Sequence, residues 1–385
     1  MINTTYLKSI TYAVFLFCLF FVDAQERSEP YCGTVATPES LQHFENLKPQ
    51  IQEFEEDYYQ KLQNRSSTAL TQVPIKAHII RTSAGTGGLS VSDLNDAIDN
   101  MNTFYANAFL EFYLCDGINY IDDDNYYDFE TNDEAALTSA NNVSGLINIY
   151  FTDAVVSSSS GSGLCGYAYF PGGQDVILMA NSCATNGSTL PHEVGHFLFL
   201  YHTHGPSNST LTTELVDGSN CDTNGDYICD TPADPQLSYS NVNSSCVYIG
   251  NTTDSNGDTF VPDPTNIMSY SRKECRTNFS TQQYARIYAA FMTLRNYFEC
   301  PSFNADFTAS YTQDCSDQLV VNFTDSSVGA TSWQWDVDGD DIIDYTTQNP
   351  SHNYSQGTYD VALTVSDGVN SLTRVFSQLI VFEIA

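Results

Sequence analysis

The sequence predicts an α+β fold followed by a separate Ig-like β-sandwich, and three observations point there. Between residues 73 and 182, short β-branched runs alternate with a stretch carrying apolar residues at helical spacing. A further helical stretch, "HEVGHFLFLYHTHG" at 192–205, sets four histidines and one glutamate among apolar residues. Beyond Cys300-Pro301 the texture changes to short alternating strands, which suggests a small β-sandwich over residues 303–385. A chain of 385 residues is long enough for two such domains.

In chain order, Lys8 precedes the apolar run "AVFLFCLFFV" (13–22), too short to cross a bilayer, and "VDA" ends in a small residue. Residues 1–24 therefore read as a secretory signal peptide. No other stretch is long enough for a transmembrane helix, so the expected product is secreted and extracellular, without a membrane span. Residues 25–65 are polar and charged; they read as a pro-segment that can form a surface helix interrupted at Pro49, with no obvious core face. Its "QNRSS" end is a loop a protease can cut. The next unit, 66–302, opens with the strand "VPIKAHIIRT". A helix from Ser92 places Leu94, Ile98, Met101 and Tyr105 on one face. Strands are expected at 110–115, 146–153 and 175–182, then a helix with Thr189 as N-cap and Pro191 in its first turn. Residues 205–280 are rich in Asp, Asn, Ser, Thr and Pro. A last helix starts at Ser280, where Gln283 completes a capping box and Tyr284, Ile287, Tyr288, Phe291 and Leu294 form the stripe.

The formal charge is −34, which repels nucleic-acid phosphates and anionic membranes and excludes nucleic acid as a partner. Calcium suits such a chain. Asp222, Asn224, Asp226 and Asp230, or Asp254, Asn256, Asp258 and Asp263, alternate oxygen ligands, though neither set is a strict EF-hand. In the tail Asp336, Asp338, Asp340 and Asp344 do the same; a solvated acidic turn is the alternative. Of eleven cysteines, Cys18 falls in the signal peptide, and the remaining ten suggest disulfides formed in an oxidising compartment.

The histidine stretch carries the chemistry. On a helix His192 and His196 lie one turn apart on the same face, with Glu193 beside them. In H-E-x-x-H two imidazoles hold Zn²⁺ and the carboxylate is the general base. The alternative is a core helix with satisfied histidines, but burying these groups without a partner is costly. His202, just beyond the helix, offers a third ligand.

"HEVGHFLFLYH" resembles the extended zinc signature of metzincin metalloproteases. The resemblance implies His192, His196 and His202 as ligands and Glu193 as base. His204 has no counterpart and reads as a surface residue or one behind the ligands. The family has glycine where this chain has Phe199, and a left-handed Phe costs about 1–2 kcal/mol. Either the site absorbs that strain or the turn takes another path. "NIMSY" (266–270) resembles the Met-turn, with Met268 beneath the metal and Tyr270 placed to steady an oxyanion. "DGSNCDTNGDYICDTPADP" (217–235), Cys246, "NIMSYSRKEC" and "NFSTQQYARI" together resemble the pappalysin, or ulilysin-like, family over residues 30–300.

That resemblance implies a metzincin-type catalytic domain: a twisted mixed sheet, a zinc-binding active-site helix and a disulfide-stapled C-terminal subdomain. It implies the pairs Cys221–Cys246 and Cys229–Cys275, and calcium near the acidic loop; Cys165–Cys183 is expected to bracket the strand before the zinc helix. "YCGT" (31–34) resembles the family's pro-segment, where a thiolate takes the open zinc position, so Cys32 becomes a candidate switch; a Cys32–Cys115 disulfide is the alternative. An acidic residue just before the last of the four cysteines implies Glu274 at the bottom of the S1′ pocket. Cleavage before Arg, more weakly Lys, would follow, including a self-cut before Arg65. If Arg272 and Lys273 neutralise Glu274, the preference becomes apolar. "WQWDVDGDD" and "GTYDVALTVSDG" in the tail resemble a PKD domain, which can engage carbohydrate or protein surfaces. The reading is a secreted zinc metalloendopeptidase acting on proteins or peptides. The rival is a catalytically inactive zinc-binding or adhesion protein on the same fold.

Overall fold

The computed structural model describes residues 31–63, 69–300, 303–313, 318–366, 368 and 371–382. The expected signal peptide, Arg65 and Cys315 lie outside the described residues.

The first unit is built from β1 (Tyr31–Cys32), α1 (Pro38–Gln63), β2 (Thr71–Arg81), α2 (Val91–Tyr105), β3 (Leu110–Asp122), α3 (Asp124–Tyr127) and β4 (Asp128–Glu130). Then come α4 (Glu134–Asn141), β5 (Ile147–Thr152), β6 (Ala154–Val156), β7 (Gly163–Ala168), β8 (Val176–Ala180), α5 (Asn181–Ala184), α6 (Thr189–Phe197) and α7 (Thr281–Ala290). The strands form a mixed sheet in the order β3-β2-β5-β8-β7-β6-β4. β5 and β8 are buried along their whole length; β8 reads as an unbroken apolar run, while β5 also buries Asn148 and Thr152. β7 runs antiparallel to β8. β6 covers only Gly163 and Leu164 on β7's other edge. The rest of that edge takes β1, with Tyr31 opposite Leu164 and Cys32 opposite Gly166.

The expected pro-segment helix needs correction. α1 runs unbroken through Pro49, and it has a core face: Phe44, Ile51 and Tyr58 are buried. Seven-residue spacing puts these three on one stripe. Arg286 of α7 pairs with Glu55 and lies over the Phe44 ring. Helix α2 is capped by Ser90, slightly before the expected start, while α7 has the expected Ser280–Gln283 capping box.

Residues 205–280 contain little regular structure, and disulfides hold them. The pairing differs from the implied one: Cys221 bonds Cys229 and Cys246 bonds Cys275, with Cα–Cα distances of 5.0 and 5.5 Å. The seven residues between Cys221 and Cys229 form turns that fold back on themselves and bring the two cysteines together. Cys165–Cys183 matches the expectation. Cys115 bonds Cys300, joining β3 to the end of this unit. Cys32 is therefore buried and free, not paired with Cys115.

The tail forms two three-stranded sheets. β9 (Phe307–Gln313), β10 (Leu319–Asp325) and β12 (Ser351–Tyr354) make one; β11 (Ser332–Asp336), β13 (Gly357–Ser366) and β14 (Ser371–Phe382) make the other. Their inward faces enclose a core of their own around Trp335, Val321, Val361 and Leu363.

Candidate active site

Helix α6 brings His192 and His196 to one face, and carbonyls fix both rings. His192 Nδ1 donates to the Ile267 carbonyl at 2.8 Å, and His196 Nδ1 to that of Leu200 at 2.7 Å. A carbonyl can only accept, so each Nε2 is left with its lone pair facing inward. Gly195 is required between them, because a Cβ there would meet Met268 Sδ at 2.6 Å. Met268 thus sits directly under the helix, fully buried.

The chain then leaves α6 through Phe199 at φ 66°, the left-handed turn a glycine would make. Phe199 does not divert the path. His202 arrives with Nε2 3.0 Å from His196 Nε2, which is itself 3.2 Å from His192 Nε2. The Phe199 ring is wholly buried, 5.3 Å from Phe44 and 6.2 Å from Phe170 between centroids. Cys32 Sγ completes a set of four ligand atoms lying within 4.8 Å of one another.

Burial keeps these imidazoles neutral: His196 is lowered to about 3, and His192 and His202 are held well below their usual range by burial and then by neighbouring charge. Two inward lone pairs and the His202 Nε2 converge on one point where a cation would be held, so the residues fit a metal ion. Nitrogen and sulfur donors are the set that suits zinc. Burial raises Glu193 to about 7, against hydrogen bonds from Cys32 and Thr34 that lower it. Burial and then the Glu193 charge push the Cys32 thiol up.

Strand β1 occupies the groups a substrate would use. Thr34 Oγ1 and Cys32 Sγ lie 3.0 and 3.4 Å from Glu193 Oε2, while Oε1 has no partner among the described residues. Tyr270 donates its hydroxyl to the Cys32 carbonyl at 3.2 Å. His204 is buried and stacks on His202 at 4.9 Å, its Nε2 2.9 Å from Asn208 Oδ1, so it is not a surface residue.

Beside His192 and Tyr270 lies a cavity of about 750 Å³, walled by the segments around Leu237 and after Tyr270. Glu274 does not line it. Its side chain is 55% exposed and pairs with Arg272 at 3.3 Å, because the 3₁₀ turn Lys273–Cys275 points it outward. The next residue but one, Arg276, lines the cavity instead.

The first proposed calcium ligands do not converge. Asp230 caps α7 through Ser280 and Gln282, Asn224 Oδ1 accepts from Thr213, and the Asp222 carbonyl accepts from Lys48. Asp254 and Asp263 accept from nearby amides, holding turns. Asp226 and Asp254 are buried, and Asp226 lies near Glu214, a residue the sequence reading missed. Burial and the nearby Asp226 charge raise Glu214 to about 9, and burial raises Asp226 to about 8. One Glu214 oxygen has no hydrogen-bond partner among the described residues. In the tail, Asp336, Asp338 and Asp344 do cluster; Asp340 is outside that group.

Three imidazoles, a buried carboxylate and a strand edge covered by β1 are the parts of a metal-dependent peptidase. The family described as pregnancy-associated plasma protein-A matches residues 130–292, and the PKD domain matches residues 299–379. An extracellular metalloprotease of Arthroderma otae is 30% identical over 247 residues, 59% of this chain and 80% of that protein. One from Colletotrichum graminicola is 28% identical over 285 residues, 69% of this chain and 91% of that protein. Among solved structures, a mutant of promirolysin from Tannerella forsythia is 20% identical with a TM-score of 0.43, covering 68% of this chain and 94% of its own. The chain belongs to the pappalysin family of metalloproteases and carries a PKD domain at its C-terminal side. No helix among the described residues is long and apolar enough to cross a membrane.

Proposed function

We propose that this metalloprotease is a secreted zinc endopeptidase made as a latent precursor, with His192, His196 and His202 as ligands and Glu193 as base. The observation that carries the reading is the convergence of three inward Nε2 atoms and the Cys32 sulfur beside the unpartnered Glu193 Oε1. Zn²⁺ held there would supply Lewis acidity to a water and to the scissile carbonyl. The protein's own groups do the rest. The β7 edge vacated by β1 binds substrate backbone as an added strand. Glu193 accepts the proton of the attacking water and passes it to the leaving amine; a carboxyl raised to about 7 is suited to both roles. The Tyr270 hydroxyl, which now donates to the Cys32 carbonyl, turns to the oxyanion.

Latency follows from the same contacts. β1 fills the cleft, and Cys32 would be a fourth ligand to the metal, as a cysteine switch. The division is then 1–24 signal peptide, 25–65 pro-segment, 66–302 catalytic domain and 303–385 PKD-like domain, which can bind carbohydrate or protein surfaces. Calcium, in this reading, lies at Glu214 and Asp226, where a cation offsets the cost of two buried carboxylates. Metal analysis tests the ligand set: wild type should hold one zinc per chain, and His202→Ala should lose most of it. Full zinc retention in that variant would remove His202 from the site.

A further inference from the structure

The cavity beside His192 is cationic in a strongly acidic protein. Arg272, Lys273 and Arg276 line it, three of only 13 Lys and Arg residues in the chain, and no carboxylate does. Arg272 is already engaged: its Nε donates to the Val242 carbonyl, its Nη1 meets Glu274, and its guanidinium lies 4.7 Å from the Tyr239 ring centroid. Lys273 Nζ rests against the Cys165–Cys183 sulfurs at 3.0 and 3.8 Å. Arg276 differs. It is 7% exposed, and its polar contacts are two long ones, to the Ser269 carbonyl at 3.5 Å and Thr189 Oγ1 at 3.4 Å. Its Nε has no partner, and no carboxylate pairs with it among the described residues. Among the described residues only the more distant Glu193 charge offsets this buried guanidinium, so an anion supplied by a ligand would relieve the cost of its burial.

We infer that this cavity receives an acidic side chain, so that the enzyme cleaves on the N-terminal side of Glu or Asp with Arg276 as the specificity-determining residue. The inference rests on the peptidase reading above. Tyr270 and His192 form one wall, so a side chain next to the scissile bond enters directly. A carboxylate reaching the floor meets the free Nε edge of a planar fork, which favours bidentate pairing. An arginine or lysine there meets the like charges of Arg276 and Lys273, Arg272 being already paired with Glu274.

Profiling the processed full chain on a proteome-derived peptide library tests this. Glu and Asp should dominate P1′, and kcat/KM for a P1′ Glu peptide should exceed that for its P1′ Arg counterpart by about a hundredfold. Arg276→Gln should cut kcat/KM on the Glu peptide far more than on a P1′ Leu peptide, mainly through KM. Arg276→Lys, which keeps the charge, should retain the order of preference. Cleavage dominated by basic or apolar P1′ residues overturns the inference and leaves the peptidase reading standing. A processed, zinc-loaded enzyme that cuts no peptide overturns both.

Discussion

Phe199→Gly is the substitution on which two physical effects oppose each other. Strain alone says it should help, since φ 66° suits glycine and a left-handed Phe costs about 1–2 kcal/mol. The ring, however, is wholly buried, packed edge-on to Phe44 at 5.3 Å and near Phe170. Truncating a buried Phe costs about 3–5 kcal/mol. Packing wins, and the net loss is about 2–3 kcal/mol. For a unit of this size that lowers the unfolding midpoint by about 5–10 °C. Thermal unfolding of the zinc-loaded full chain, followed by near-UV circular dichroism, reads it. Phe44→Ala should give a similar loss, and the double variant less than the sum, because the two rings touch. A Phe199→Gly protein as stable as wild type would show that the ring contributes no packing and that strain governs the turn.

Other outcomes follow from the same geometry. Cys32→Ala should make the full chain accessible to a zinc-directed hydroxamate that wild type excludes; equal binding by both would end the switch. Peptide mapping without reduction should recover Cys221–Cys229 and Cys246–Cys275, and recovery of Cys221–Cys246 would overturn the observed pairing. Glu214 and Asp226 are raised to about 9 and about 8 by burial, so the folded state holds protons that the unfolded chain releases near its ordinary carboxylate range. Their contribution therefore falls as pH rises from about 4 and levels above about 9. Urea midpoints across that range should show the fall in calcium-free buffer and a smaller one with calcium; a calcium-independent profile would remove the ion from this pair. With an acidic P1′ preference, the precursor should not cut itself before Arg65, and an N-terminus at Arg65 generated by purified enzyme alone would contradict that preference.

What was legible in the sequence was what local spacing determines. His192 and His196 four apart on a helix, Glu193 beside them, and Met268 and Tyr270 in one short turn each emerge from motifs whose geometry is internal to a single segment. Alternating and continuous apolar runs located β2, β3, β5, β8 and most of the tail strands for the same reason, but not β4, β6 or β7. The face of α1 was missed because Phe44, Ile51 and Tyr58 recur only every second turn in a polar helix containing Pro49, and their partners on α7 and in the 199–227 region are far away in sequence. Disulfide pairing depends on how an irregular loop folds back, which no spacing encodes. The largest error is the smallest in sequence. Glu274 and Arg276 are two residues apart, and one 3₁₀ turn sends the first to solvent and the second into the cavity, reversing the sign of the pocket. Glu214 carried no signal at all, since a lone glutamate in a polar loop looks like any other.

The central claim is that three histidines hold the metal while Glu193 moves the proton, and one measurement separates these roles. Zinc content and casein cleavage should be determined together on processed wild type and on Glu193→Ala processed by an added protease. The account predicts about one zinc per chain in both and cleavage in the wild type alone. A Glu193→Ala protein that loses its zinc, or one that still digests casein, would contradict it.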